Sequence, residues 1–174
     1  MKLFGKKWFA LLLAALLVLG STLLNVSAKL GRKTEALAGE FDSTLAPSLL
    51  SLCDKAENLA DVAEANDVNA DRLRAAALAL RGELGVEADV SGAYERYVQL
   101  NRAFDAVNAE LAELTLGQRD SAAYSAAVSE ATALNAAIAT APYNSSVKSF
   151  AAKHGAFPRF MASLAGVFWP EAFA

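Results

Sequence analysis

Trp8–Ala28, WFALLLAALLVLGSTLLNVSA, is a run of 21 residues without a charge, and it constrains the chain more than any other stretch. As a helix rising about 1.5 Å per residue it reaches roughly 31 Å, the thickness of a bilayer's hydrocarbon core. Its eight leucines each favour insertion by about 0.5 kcal/mol and together outweigh Asn25 and the hydroxyls of Ser21, Thr22 and Ser27. Lys2, Lys6 and Lys7 precede the run, and Lys29, Arg32 and Lys33 follow it. The pattern predicts a membrane anchor over 1–28, a helical domain over 29–158 and an aromatic tail over 159–174. A cleavable secretory signal is the alternative. The basic start, the apolar core from Trp8 to Gly20 and the small residues Val26-Ser27-Ala28 suit cleavage at Ala28. Leu23 and Leu24 carry the apolar character past Gly20, which favours the anchor. The basic flanks differ by one charge once the terminal amine is counted, tipping the domain toward the exported side.

Charge is segregated. The first 33 residues carry six of the 16 basic residues and none of the 19 acidic ones, so the remainder has a net charge of −9. Such a domain repels phosphate backbones, which argues against nucleic acid as a partner. Anionic lipid headgroups are repelled too, except at the collar Lys29–Lys33. Cys53 is the sole cysteine, so no internal disulfide forms, and a small buried hydrophobe is the expectation there. His154 is the sole histidine, which leaves no His-based metal cluster and no triad; it reads as a cation near a helix C-terminus or a surface residue. Glu57 and Asp61 stand four apart without the Glu-x-x-His pairs of di-iron bundles. Glu110, Glu113 and Asp120 read as a solvated helix face. With no phosphate loop and no CxxC, the sequence points to no catalytic residue, cofactor, metal or small-molecule substrate.

Beyond Lys29 the dominant rhythm is helical. Leu45, Leu49, Leu52, Ala56, Leu59 and Ala63 step by alternating fours and threes, a heptad-like seam. Asp54, Lys55, Glu57 and Asn58 lie on the other face. Asp42-Ser43-Thr44 before Pro47 predicts either a new helix with proline in its first turn or a helix kinked at Pro47. Asn66–Asn69 reads as a break, with Asn69 as the next cap. Leu73, Ala77, Leu80 and Leu84 follow, and Gly85 stops that helix. Ser91 is the predicted cap of a third helix whose seam is Tyr97, Leu100, Phe104, Val107, Leu111 and Leu114, closed by Gly117. Asp120 and Ser121 open a fourth through Tyr124, Ala127, Ala131, Leu134 and Ile138. Nothing alternates as a strand would. The short connectors make neighbours antiparallel, so the fold class is all-α, an antiparallel four-helix bundle after a transmembrane helix. Alanine on the seams implies close helix approach and a thin core.

After Ile138, Tyr143-Asn144, Val147, Phe150 and Phe157-Pro158, with Gly166 beyond, resemble the C-terminal signature of the LemA family. Leu45-Ala46-Pro47-Ser48-Leu49-Leu50 is similar to that family's leucine-apolar-proline-asparagine-leucine element. The chain departs from the pattern at Ser48, Ala133, Thr140 and Ala151, where the family carries asparagine, glutamate, arginine and asparagine. The resemblance implies a LemA-like four-helix bundle on one membrane span, and no catalytic residues. Physically, Tyr143, Val147, Phe150 and Phe157 form one helical stripe packed on the first bundle helix. Asn144 beside it is expected to satisfy backbone or a tyrosine hydroxyl. Pro142 kinks this helix or begins it, and Phe157-Pro158 ends it. In the tail, Phe160, Met161, Leu164, Val167, Phe168, Trp169 and Phe173 either cover the open end of the bundle or lie in a membrane interface or partner groove.

The function expected is therefore a scaffold or interaction module at a bacterial membrane, held by Trp8–Ala28, with protein partners or self-association through its apolar stripes. An exported soluble bundle, binding or chaperone-like, is the alternative.

Overall fold

The computed structural model describes residues 31–85, 90–154 and 170–173. The expected span Trp8–Ala28, and Phe157, Pro158 and Gly166, lie outside them. Among the described residues every regular element is helical and none is a strand, as the seams require. No helix among them is long and apolar enough to cross a membrane. They fall into two compact units: 37–149 with 170–173, and 31–36 with 150–154.

In the larger unit, helical backbone ending at residue 40 runs into a π-helical segment, Phe41–Leu45, and then into α1, Ala46–Ala65. Of the two outcomes predicted around Pro47, the structure takes the distorted continuation. Proline has no N–H for the Ser43 carbonyl four residues back, and its ring would clash with it. Widening the preceding turn relieves this: the Ala46 N–H bonds Phe41 O, five residues back. Hydroxyls fill in for the disturbed ladder. Thr44 Oγ1 donates to Glu40 O at 2.6 Å, and Ser43 Oγ to Gly39 O at 2.8 Å.

Every residue of the predicted α1 seam is buried, together with Cys53, Ala60 and Val62, which the alternating steps omit. The broader stripe follows from the number of neighbours. α1 packs against α2 (Asp71–Gly85), α3 (Val90–Ala112) and α4 (Gln118–Thr140), while α2 also packs against α3.

Two arginines record the direction of α2. Arg74 pairs with Asp61 (2.7 Å) and Glu64 (2.6 Å) of α1, and Arg81 with Asp54 (2.7 Å) and Glu57 (3.0 Å). Seven residues forward on α2 match seven back on α1, the mark of antiparallel neighbours. The polar face of α1 thus carries interhelical ion pairs, with Lys55 reaching Glu130 of α4 on the other flank. Half-exposed pairs of this kind contribute a few tenths of a kcal/mol to about 1 kcal/mol each, and serve register more than stability. The Arg74 guanidinium also holds the exposed Glu64 carboxyl below its ordinary range.

Helix ends depart from expectation at three places. α3 finishes at Ala112, where Glu113 and Leu114 turn back onto Glu110 and Leu111 carbonyls, so Leu114 leaves the seam and is exposed. Gly117 does not close α3; its extended backbone (ψ 159°) is the N-cap of α4, and Ser121 N–H bonds its carbonyl. The third helix begins at Val90, so Ser91 lies within it rather than at its cap. Asn69 caps with its side chain from one residue ahead of the predicted position: its Oδ1 accepts the Asp71 N–H at 3.0 Å, while the Ala70 carbonyl takes the first helical bond, from Arg74.

In the smaller unit Thr34 Oγ1 donates to Gly31 O, and the His154 ring stacks on Phe150 with centroids 4.5 Å apart. Lys33 Nζ lies 3.4 Å from His154 Nε2, and since an ammonium only donates, Nε2 accepts and Nδ1 donates to Phe150 O at 2.9 Å.

The break after α1 is a Schellman turn. Val68 N–H bonds Ala63 O at 2.9 Å, Asp67 N–H bonds Glu64 O at 3.2 Å, and Asp67 sits at φ 59°. That left-handed geometry costs an L-residue about 1–2 kcal/mol, whereas glycine adopts it freely. Asp67→Gly is therefore expected to hold or raise the thermal midpoint. Asp67→Val, β-branched at positive φ, is expected to lose about 1–2 kcal/mol in denaturant titration.

Candidate functional site

Pro142 begins α5, Pro142–Lys153, rather than kinking a longer helix. Ala141 before it is extended (ψ 142°), as a residue preceding proline must be. Because proline lacks an N–H, the Ile138 carbonyl at the end of α4 loses its regular helical donor. Asn144 supplies a replacement: its Nδ2 donates to Ile138 O at 2.6 Å. The same amide group donates to Phe173 O at 3.0 Å, with a longer contact to Ala139 O at 3.2 Å. Its Oδ1 accepts the Phe173 N–H at 2.7 Å. One buried carboxamide thus ends α4 and grips the main chain of the C-terminal segment. The expectation that Asn144 serves backbone holds.

Around that grip lies an aromatic cluster. Phe173, 1% exposed, packs against Phe41 (centroids 5.7 Å), Tyr94 (5.3 Å), Tyr97 (5.6 Å) and Tyr143 (6.3 Å). Phe41 meets Tyr143 edge-on at 5.5 Å. Of the two roles weighed for the tail, covering the helices is the one Phe173 takes; Phe160–Trp169 lie outside the described residues. Tyr143 packs on the π-helical segment before α1, and Val147 is buried further along α5. Phe150 is buried in the smaller unit, and Pro47 is exposed on α1. The structure therefore joins Tyr143 and Asn144 of the expected motif with four rings that the motif does not contain: Phe41, Tyr94, Tyr97 and Phe173.

The Tyr143 hydroxyl is buried and makes no hydrogen bond among the described residues. Burial pushes its ionisation well above the ordinary tyrosine range, reinforced by the Glu171 and Glu40 carboxylates. Glu40 instead accepts from Ser146 Oγ at 3.2 Å, tying α5 to the turn before the π-helical segment.

α3 and α4 are joined differently, through tyrosine and asparagine. Tyr97 Oη donates to Asn135 Oδ1 (3.0 Å), Asn135 Nδ2 to Asn101 Oδ1 (2.8 Å), and Tyr124 Oη to Asn108 Oδ1 (2.8 Å). Asp120 is no solvated bystander, since it is half-buried and accepts from Asn66 Nδ2 at 3.2 Å. Glu110 and Glu113 are exposed as expected.

Between α2 and α3 runs a groove of about 820 Å³, floored by Ala75, Ala76, Ala79, Ala103 and Ala106 and flanked by Arg72, Arg96 and Arg102. Arg96 reaches Glu83 and Gln99, while Arg72 and Arg102 form no ion pair among the described residues. A second groove of about 540 Å³ follows α1 and α4. Open, polar-rimmed and floored by methyl groups, such clefts suit a helix or peptide better than a small substrate. Among the described residues no three or more His, Cys, Asp or Glu side chains are placed to hold a metal ion.

Cys53 is fully buried, and burial pushes its thiol up to about 11, against the partial opposition of Arg81. A thiol held protonated in the folded state leaves stability unaffected below the unfolded value of 9.0 and removes it as pH rises from there to about 11. The unfolding free energy is therefore expected to be level from neutral pH to 9 and then to drop by about 2–3 kcal/mol. Cys53→Ala should remove the part of this loss that starts at 9, leaving the tyrosine part above it. For the cluster, Tyr143→Phe should be neutral or gain up to about 1 kcal/mol by removing an unpaired hydroxyl. Asn144→Ala should lose about 2–3 kcal/mol by stranding buried backbone groups. Denaturant midpoints of the full chain check both. No protein-family model, no curated protein and no solved structure matches the chain.

Proposed function

We propose that the protein is a non-enzymatic, LemA-like scaffold or interaction module, an antiparallel four-helix bundle held at a bacterial membrane by Trp8–Ala28. The observation that carries this reading is the uncharged run of 21 residues with its basic collar, followed by a domain of opposite net charge. An acidic body stays clear of anionic headgroups while the collar meets them. The reading is supported by the shape of the helical unit. Its clefts are open and lined by alanine, which lets a partner helix approach closely.

Val26-Ser27-Ala28 favours the second reading, an exported soluble bundle released at Ala28. Fractionation with mass measurement separates the two. The anchored protein is expected to stay in the membrane pellet through high-salt washes, to need detergent for release, and to retain the residues before Lys29. Recovery in the wash as a chain beginning at Lys29 would overturn the anchor.

A further inference from the structure

We propose that Phe41, Tyr94, Tyr97, Tyr143 and Asn144 form a peptide receptor, filled here by the chain's own Pro170–Phe173, and that it exchanges this segment with a second copy. The segment is held as a bound peptide is held. Its only main-chain hydrogen bonds among the described residues are the two to Asn144, 2.7 Å to the Phe173 N–H and 3.0 Å to its carbonyl. No helix or sheet ladder ties it in. Its side chains divide as in a recognised peptide, with Pro170 and Phe173 buried and Glu171 and Ala172 turned partly to solvent. The Phe173 ring meets four rings that come from three other elements.

A second copy is the occupant that fits. It carries the identical segment, so every contact made within one chain is reproduced between two, and such exchange is a low-cost route to association. Fifteen residues separate His154 from Pro170 in the sequence, a contour of up to about 50 Å. The inference does not depend on the membrane anchor.

Two full-length variants in detergent test it. Phe173→Ala keeps the receptor and loses the ligand; Asn144→Ala keeps the ligand and weakens the receptor. A synthetic peptide Pro-Glu-Ala-Phe-Ala is expected to bind Phe173→Ala at least about tenfold more tightly than the same peptide with alanine for phenylalanine, the factor expected from burying one ring. The two variants should form a mixed dimer by light scattering, while each alone stays monomeric. Absence of peptide binding would overturn the receptor. Peptide binding with no mixed dimer would overturn the second copy as occupant and leave a partner protein's segment in its place. If Phe173→Ala does not fold, hydrogen exchange of the unaltered protein decides: a Phe173 amide exchanging faster than those of α1 supports a segment that leaves by itself, and equal rates overturn it.

Discussion

α1 has apolar residues around so much of its circumference that it needs partners on several sides at once. Leu49, Leu52, Ala56, Leu59 and Ala63 make the expected stripe, and Cys53, Ala60 and Val62 widen it. The rest of the larger unit answers that demand, with α2, α3 and α4 each set against α1. Alanine on the contact faces brings backbones close but removes little apolar area per residue, so stability rests on helix length and the few large side chains. The ion pairs of Arg74 and Arg81 lie outside the apolar stripe, where their desolvation is slight and their effect is on direction and register.

The stretch from Leu37 to Leu49 shows how one proline propagates. Leu37, Phe41, Leu45 and Leu49 are all buried and recur in steps of four. In a regular helix each such step overshoots a full turn by about 40°, so the row would drift off the core. The wider turns of Phe41–Leu45 take up that drift and also accommodate Pro47. The same local distortion therefore aims Phe41 at Tyr143 and Phe173.

Legibility followed the range of the interaction. Helix identity, the break at Asn66–Asn69, the capping role of Asn69 and the new helix at Pro142 are local matters, settled by periodicity, by the missing proline N–H and by side-chain-to-backbone bonds within a few residues. Gly117 was misplaced because glycine serves a helix start almost as well as a stop, and only the extended ψ distinguishes them. Leu114 continues the heptad numerically, yet the helix has already ended. Phe41 was hidden because a row in steps of four is discounted when a regular helix is assumed. The pairing of Asn144 with Phe173 spans 29 residues, and no pattern of spacing encodes it. A buried-amide argument found half of that contact, the need for backbone acceptors, but not which backbone.

The two ends of the larger unit therefore differ in kind. At the α1–α2 turn, order comes from backbone bonds between near neighbours and from carboxylates fixed by arginine, so it forms with the helices themselves. At the opposite end, order comes from a remote segment whose grip is one carboxamide and one ring. Burying a phenylalanine contributes about 1.5–3 kcal/mol, and each amide bond about 0.5–1.5 kcal/mol. Their sum, about 2.5–6 kcal/mol, overlaps only the low end of the roughly 5–15 kcal/mol that a domain gains from folding as a whole. The proposed exchange asks the Phe173 contact to open while α1 and its partners stay folded. Opening would also uncover Phe41, Tyr143 and the Asn144 carboxamide oxygen at once. An end that exposes rings and a hydrogen-bonding amide together, without unfolding the helices behind them, is chemically suited to holding an extended chain.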